Sequence, residues 1–291
     1  MRTPAARYLT PAIVLMAVML GFPIVYNIVI SFMHWTIRDP SRPFVGFENY
    51  ANVLTNESFM EILGNTLVWT VVGVFAQMVI GIALAVFVDN LTRGKKYMRI
   101  VMLIPWVIPG VVTAFMWRWL MQSDLGLINN TLQLIGLTSS NIRFLSDKDI
   151  ALTSLIIAHT WKAVPFWFLM ITAGLQTKPE EQIEAARLDG AGSWKVFWNV
   201  ILPDLSPVIA STGVLTTIWT LNYFDLIWVM TAGGPGISTT TLPIYIYQLA
   251  FRFNNFGEAA ACAVITFIIV GIISAPYMRR MFKNLKSEGV V

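Results

Sequence analysis

The sequence predicts an all-α membrane protein that crosses the bilayer six times. Hydrophobic residues make up 56% of the 291 residues and charged residues only 12%, whereas soluble domains carry about 25% charged residues. The apolar residues are gathered into runs of the length that a helix needs to cross a bilayer, which is about 20 residues. Lys and Arg cluster at the ends of these runs, as they do beside membrane spans.

The apolar runs place the six spans at about 9–33, 62–88, 97–120, 150–175, 207–231 and 258–281. The first run is too long for a signal-peptide core and no Ala-x-Ala site follows it, so we keep it as a membrane helix. In the third run, Pro105 and Pro109 predict a kinked or broken helix that could act as a gate. We expect residues 1–291 to form a single transmembrane domain.

The distribution of Lys and Arg predicts that both termini are cytoplasmic. Thirteen cations fall in one set of loops and termini, and five fall in the other set. The first set contains Arg2, Arg7, Arg93, Lys95, Lys96, Arg99, Lys178, Arg187, Lys195, Arg279, Arg280, Lys283 and Lys286. The second contains Arg38, Arg42, Arg143, Lys148 and Arg252. Because cytoplasmic loops carry the excess of cations, the first set is assigned to the cytoplasm. Arg118, near a span end, is expected to reach toward the interface.

The segment 177–206 is a charged interruption between the fourth and fifth spans, with five carboxylates and three cations. Thr177 and Glu180 have the spacing of a capping box, and Gly190 ends the first helix. Ser193 can cap a second helix that stops at Pro203. Physical reasoning leaves two interpretations: a docking site for a partner, or an interfacial hairpin that only tethers two spans.

The predicted external loops contain recognisable turns. The first holds residues 46–50 and the third, 232–257, opens with Gly233-Gly234-Pro235-Gly236. Such Gly-Pro stretches mark turns. These loops could contact an extracellular partner or could be solvated connections.

Polar and aromatic side chains inside the fourth and fifth spans are candidates for a solute path, because polar groups in a bilayer are costly. The candidates are Trp161, Lys162 and Phe166, with His159, in the fourth span, and Trp219, Asn222, Tyr223 and Asp225 in the fifth. Aromatic faces pack on sugar C–H groups while amides, hydroxyls and charges bond sugar hydroxyls. Alternatively, these groups join helices, including through an Asp225–Lys162 ion pair.

Several kinds of chemistry are not supported by the sequence. Gly94-Lys95-Lys96 does not fit the phosphate-binding loop of ATPases. The single cysteine, Cys262, cannot form an intrachain disulfide, and the two histidines are far apart, which argues against a metal site. We therefore expect a non-enzymatic protein without a cofactor of its own, and the net charge of +4 reflects membrane topology rather than nucleic-acid binding.

A motif in the charged segment resembles the EAA motif of membrane subunits of binding-protein-dependent ABC importers. Glu184-Ala185-Ala186, Gly190 and Val200-x-Leu202-Pro203 carry it, with Val200 in place of the usual Ile. Further stretches resemble the sugar-permease branch, specifically the maltose- and glycerol-phosphate-type first permease. They are residues 44–50, Asn65-Thr66, Trp161-Lys162-x-x-Pro165-Phe166, 222–235, and 241–251.

The resemblance implies the fold of a type I ABC importer and a cytoplasmic coupling helix at Glu184, Ala185, Ala186 and Gly190. It implies that the chain forms half of the path for a sugar or sugar derivative. The implied partners are a second homologous permease, two ATPase subunits that bind ATP and Mg²⁺, and an extracytoplasmic solute-binding protein. The implied location is the cytoplasmic membrane of a bacterium or archaeon.

Two other functions are alternatives to that of an ABC importer subunit. A secondary transporter driven by an ion gradient would need intramembrane carboxylates and usually internal repeats. Asp225 is the one good carboxylate candidate, and the sequence shows no repeat. An intramembrane enzyme would need paired acids or a metal cluster, and neither is visible in the sequence.

Overall fold

The computed structural model describes residues 4–39, 41–177 and 179–287. Side chains are described for those of these residues that lie between 8 and 275. Arg2 and Lys178, which entered the charge pattern, lie outside the described residues. The described part of the chain is helical, with two isolated β-bridges and no strand. The helices are α1 Pro4–Met16, α2 Phe22–Ser31, α3 Glu48–Thr55, α4 Phe59–Asp89, α5 Lys95–Val107, α6 Gly110–Leu120, α7 Leu127–Leu134, α8 Ala151–Leu175, α9 Glu180–Leu188, α10 Ser193–Val196, α11 Leu202–Asp204, α12 Ser206–Leu221, α13 Asp225–Thr231, α14 Leu242–Tyr247 and α15 Phe256–Ser287. Wider π-helical turns continue α1, α10 and α14 at Ala17–Gly21, Phe197–Ile201 and Gln248–Arg252.

Four helical stretches among the described residues are long and apolar enough to cross a membrane. They are Tyr8–Ser31, Phe59–Asp89, Ala151–Leu175 and Phe256–Ala275. Two bent helix pairs also qualify if each pair forms one span, namely α5 with α6 and Ser193–Asp204 with α12. The all-α class is confirmed, and the number of candidate spans is between four and six.

The third predicted span is two helices rather than one kinked helix. α5 and α6 meet at an angle of 94°. The break falls at Ile108, which is extended with ψ 130, immediately before Pro109. A residue before proline is pushed out of the helical region, and proline has no N–H for the helix. Pro105, by contrast, lies inside α5.

The fifth predicted span, 207–231, is also interrupted, which corrects the expectation of a continuous helix. α12 ends at Leu221, residues 222–224 leave the helix, and α13 begins at Asp225. The Asn222 side chain donates to the Ile218 carbonyl at 2.9 Å, within the last turn of α12. Such side-chain bonds compete with the backbone ladder, and Asp225 at the first position of α13 suits the positive end of a helix.

The third predicted loop is more ordered than a solvated connection. Thr239, Thr240 and Thr241 are fully buried. Thr239 Oγ1 donates to the Gly234 carbonyl at 2.7 Å, and Thr240 Oγ1 to the Gly233 carbonyl at 3.0 Å. Downstream, the residues predicted to be loop form α14 and a π-helical turn. Local threonine bonds therefore hold this stretch in a fixed shape.

The chain divides into two compact units. Of the described residues, one unit comprises 4–39, 41–60 and 242–271, and the other comprises 61–177, 179–241 and 272–287. In the first, the buried Asn49 amide on α3 donates to the carbonyls of Ser31 and Met33 at 2.9 and 2.8 Å, which satisfies two backbone acceptors beyond the end of α2. Trp35 packs on Phe256 at the start of α15 with ring centroids 5.0 Å apart.

The second unit has its core where α4 crosses α8. Trp167, Phe168, Ile171 and Leu175 of α8 pack with Ala85, Val88 and Leu205. Gly81 of α4 lies against the Trp167 Cβ, and a Cβ added at Gly81 would also stand 3.2 Å from the Phe168 nitrogen. Close approach of two helix backbones requires a small residue of this kind.

Gly81→Ala is therefore expected to destabilise the protein, by about 1–3 kcal/mol for an overpacked contact. Gly64→Ala on the same helix is the matched control, because a Cβ there meets nothing within 4 Å. The control should be neutral or stabilising by up to about 1 kcal/mol, since alanine favours helix. Thermal unfolding of the purified protein in detergent measures both. Equal melting temperatures for the two variants would contradict the close crossing.

Candidate functional site

Four helices of the second unit line a small cavity of about 100 Å³, which we call the aromatic cavity. α4 and α5 contribute one lining residue each, α8 contributes four and α12 contributes three. The tenth lies in the break after α12. The lining residues are Gln77, Trp106, His159, Lys162, Ala163, Phe166, Thr216, Trp219, Thr220 and Tyr223.

One wall of the aromatic cavity is polar. The Gln77 side-chain amide lies 3.1 Å from the His159 Nδ1 atom. The His159 ring packs on both Trp69, at 4.9 Å, and Tyr223, at 4.5 Å. Among the described residues, the buried Gln77 Oε1 atom has no hydrogen-bond partner. A buried acceptor without a partner costs free energy, which a hydrogen bond from a hydroxyl group would recover.

Another part of the lining is aromatic. Phe166 lies 5.0 Å from Trp219 and 6.2 Å from Trp106, measured between ring centroids. Trp219 remains 46% exposed. An apolar surface beside amide, hydroxyl and imidazole groups can bind the C–H faces and the hydroxyls of a sugar.

Lys162 joins the cavity to the break in the third span. Its Nζ atom donates to the Ile108 carbonyl, which belongs to the residue between α5 and α6. On the other side of the break, a Cβ at Gly110 would stand 3.1 Å from the Tyr223 hydroxyl and 3.4 Å from Asp225 Oδ2. The α5–α6 junction is therefore contacted by Lys162 of α8 at Ile108 and by Tyr223 and Asp225 at Gly110.

The Asp225–Lys162 ion pair considered above is not formed. Among the residues that the structure describes, the one ion pair within 4.0 Å joins Lys95 and Asp89. The Lys162 ammonium bonds a backbone carbonyl instead. A helix break frees carbonyl acceptors, and a lysine within reach satisfies one of them.

The structure brings together four of the seven predicted path residues. Lys162, Phe166, Trp219 and Tyr223 line the aromatic cavity. The other three lie elsewhere. Trp161 packs edge-on against Trp117 at 5.9 Å, Asn222 is exposed and bonds its own helix, and Asp225 lies beside Gly110.

Sequence reasoning missed two lining residues that stand on other helices. Gln77 is a polar residue in the apolar run of the second span, so the rule that intramembrane polar groups are functional candidates could have found it. Trp106 could not have been identified in this way, because tryptophan is also common at the membrane interface.

The motif residues of the charged segment stand on a short exposed helix. Glu184 and Ala185 of α9 are exposed, Ala186 is half-buried, and Ile183 anchors the helix on its buried face. Gly190 has φ 81, and the Gly190 and Ala191 N–H groups donate to the carbonyls of Arg187 and Ala186. This is a Schellman end, in which glycine takes the left-handed conformation without strain.

Two details of this segment differ from expectation. Thr177 Oγ1 donates backward to the Gly174 carbonyl at 2.9 Å, so it does not cap α9, whose N-cap is Pro179. Thr177 instead completes the end of α8. Ser193 is the first residue of α10 and Gly192 its N-cap. The following helix carries an exposed aromatic group of Trp194 and Trp198 packed with Phe197.

The described residues contain no group of three or more His, Cys, Asp or Glu side chains placed to hold a metal ion.

The sequence matches the family described as "Binding-protein-dependent transport system inner membrane component" over residues 51–285. It is 32% identical over 272 residues to the trehalose/maltose transport system permease protein MalF of Thermococcus litoralis, covering 92% of this chain and 90% of that protein. It is 34% identical over 280 residues to the sulfoquinovosyl glycerol transport system permease protein SmoG of Agrobacterium fabrum, covering 96% and 90%.

The fold is similar to that of a chain in the crystal structure of a bacterial ABC transporter that imports the acidic polysaccharide alginate. The TM-score is 0.78 at 23% sequence identity, and the match covers 94% of each chain. At this identity the likeness concerns the fold alone.

Proposed function

Because the chain belongs to the family of inner membrane components of binding-protein-dependent transport systems, we propose that it forms half of the path of an ATP-driven sugar importer. As a permease component it is not itself an enzyme, and ATP is hydrolysed by a partner ATPase. The observation that carries the sugar assignment is the aromatic cavity, which is lined by Phe166 and Trp219 together with Gln77 and His159.

The chemistry of the aromatic cavity suits a sugar better than an ion. A site for a coupling ion is built from intramembrane carboxylates or unwound backbone carbonyls. No Asp or Glu lines this cavity among the described residues. Relatives named for trehalose/maltose and sulfoquinovosyl glycerol transport support a sugar or sugar derivative as the solute.

The size of the aromatic cavity supports a shared and closable path. It measures about 100 Å³, whereas sites for small molecules usually span about 300–1,000 Å³. We propose that a second, homologous permease supplies the other half, and that the cavity enlarges when α5 and α6 move at Ile108. The exposed aromatic face of Trp219 is available to such a partner.

Energy would reach this path through α9. We propose that an ATPase subunit docks on Glu184, Ala185, Ala186 and Gly190, and that a second ATPase docks on the partner permease. Exposure of the motif residues and the small size of the two alanines allow close approach by another protein. The cation pattern predicts that the segment 177–206 and both termini are cytoplasmic, so we propose that the solute-binding protein delivers sugar from outside.

Trp219→Ala is expected to raise the KM for uptake by about 10-fold to 100-fold, because an aromatic anchor in a binding site contributes about 1.5–3 kcal/mol. Trp219→Phe should retain most of the affinity. The matched control is Leu215→Ala, one helical turn earlier, exposed but outside the cavity lining. Uptake of labelled sugar into proteoliposomes that contain the whole complex measures all three. An unchanged KM in Trp219→Ala would show that Trp219 does not bind the sugar during transport.

The proposed function as a whole is tested by purification of the chain from its native membrane. We expect an ATPase and a second permease to accompany it, and the reconstituted complex to take up the sugar bound by its binding protein only when ATP is present. Uptake that follows an ion gradient without ATP would instead support a secondary transporter.

A further inference from the structure

A second and larger cavity lies in the same unit, and none of its lining residues lines the aromatic cavity. It measures about 700 Å³. We call it the Arg118 cavity. It is formed by the end of α6, the loop that follows, the turn at Leu145–Ser146, the end of α13 and Gly234-Pro235. The charge pattern places all these segments on the external side.

The α6 wall of the Arg118 cavity combines aromatic and hydrogen-bonding groups. Phe115, Arg118 and Trp119 lie three and four residues apart on α6, which places them on one face of that helix, and Gln122 follows its end. Phe115 and Trp119 are 58% and 59% exposed. Exposed aromatic faces next to polar groups are the combination that packs on sugar rings.

Arg118 is held in position rather than reaching freely to the interface. Its Nη1 atom donates to the Val229 carbonyl of α13 at 3.2 Å. A guanidinium has five N–H donors in a rigid fork, so this contact orients the group and leaves donors for a ligand. Gln122, Ser123 and Ser146 add hydroxyl and amide groups to the lining.

The electrostatics of the Arg118 cavity favour an acidic ligand. Among the described residues, Arg118 is the one charged side chain that lines the cavity, and no Asp or Glu lines it. Arginine binds carboxylates bidentately, and hydrogen bonds to charged acceptors are about twice as strong as neutral ones.

The floor of the cavity is preformed. Met121 and Met230 are buried beneath it. Thr231 Oγ1 bonds Thr239 Oγ1 at 2.8 Å, and Thr239 also bonds the Gly234 carbonyl. A site whose walls are already ordered needs little reorganisation to bind a ligand.

We propose that the Arg118 cavity is a second solute subsite, on the external side, that binds one sugar unit before it reaches the aromatic cavity and favours a sugar acid. Trp119 and Phe115 stack on the ring, and Arg118 donates to its carboxylate. At about 700 Å³ the cavity has the volume of a small-molecule site, whereas the aromatic cavity in this conformation is about 100 Å³. The proposal rests on the proposed sugar-import function.

Saturation-transfer NMR on the intact complex in nanodiscs, without the binding protein, tests the subsite. The probes are glucose, galactose and mannose with the corresponding uronic acids. We expect ring signals from at least one pair, with the acid bound about 3-fold to 10-fold more tightly. Trp119→Ala should reduce these signals at least 5-fold, and Arg118→Gln should abolish the preference for the acid.

A control variant separates this site from the rest of the loop. Leu125→Ala, in the loop after α6 and exposed, should leave the signals unchanged. Melting temperatures within a few degrees of the unsubstituted complex show that each variant is folded.

Three results would overturn the subsite. One is the absence of ring signals from all six probes. The second is unchanged signals in both Trp119→Ala and Arg118→Gln. The third is that these variants weaken only the affinity of the binding protein for the complex, which would make the cavity a protein-docking surface. ATP-driven sugar uptake by the unsubstituted complex is measured in parallel, so failure of the subsite is distinguishable from failure of the proposed function.

Discussion

Glu184→Lys is expected to abolish ATP-driven uptake while the subunit still inserts and folds. Glu184 is exposed on α9, one turn beyond the first-turn acids Glu180 and Glu181, so reversing its charge removes no packing within the chain. Reversal of a charge inside a protein–protein contact costs about 2–5 kcal/mol, or a factor of about 30 to 5,000 in affinity. Uptake and co-purification of the ATPase are both measured.

Glu181→Lys is the matched control, with the same charge change on the same helix. It acts on the helix dipole, where a first-turn charge is worth about 0.3–1 kcal/mol, and it should keep most of the uptake. Normal uptake and normal ATPase recovery in Glu184→Lys would remove α9 from the coupling site.

Gly190 provides a companion test at the end of the same helix. Gly190→Asp should also abolish uptake, whereas Gly190→Asn keeps the size of the new side chain and tolerates the left-handed conformation that φ 81 requires. Loss of uptake in Gly190→Asp with partial uptake in Gly190→Asn would indicate that the negative charge at the docked surface causes the loss. Equal loss in both indicates that any side chain blocks docking, because a Cβ at Gly190 meets nothing within 4 Å of this chain. Normal uptake in both variants would contradict the assignment.

The second large effect is expected at Lys162. Lys162→Met removes the donor to the Ile108 carbonyl but keeps most of the apolar stem. The α5–α6 junction therefore loses the hydrogen bond from α8 and keeps the contacts of Gly110 with Tyr223 and Asp225. A hydrogen bond from a charged group contributes about 1.5–3 kcal/mol, and we expect uptake to fall about 10-fold to 100-fold. ATP hydrolysis should continue without transport, because α9 is untouched.

Distance measurement between spin labels separates this effect from a general loss of stability. Labels at Val101→Cys and Val112→Cys, both exposed, report the angle between α5 and α6 in a Cys262→Ala background. Lys162→Met should broaden the distance distribution, and Lys162→Arg should largely preserve it. Identical distributions together with normal uptake in Lys162→Met would show that the lysine does not hold the junction.

The features predictable from the sequence were those set by local rules. Apolar run length indicated the helical membrane class, and Pro109 indicated a break in the third span because proline excludes the preceding residue from a helix. Gly190 was predicted to end α9, and it does so with a positive φ. Each conclusion depends on residues within a few positions of one another.

The features that escaped prediction depend on contacts between distant residues. Lys162 and Ile108 are 54 residues apart, so no local pattern could choose this carbonyl over Asp225. Gln77 and His159 are separated by 82 residues. The break after Leu221 was missed because Asn222 and Asp225, the polar residues beside it, were interpreted as candidate solute contacts within one continuous span. Thr177 was assigned to α9 because its spacing fits a cap, yet its hydroxyl donates to the Gly174 carbonyl of α8.

The central claim is that a separate ATPase docks on Glu184–Gly190, and site-specific cross-linking tests it most directly. The single cysteine, Cys262, is buried, so Cys262→Ala gives a background in which Ala185→Cys alone can carry a photoreactive benzophenone. Illumination of the purified complex should join position 185 to the ATPase subunit. The same label at Leu137→Cys, exposed on the predicted external side, should not. Absence of an ATPase adduct from position 185 in an intact, ATP-hydrolysing complex would contradict the account.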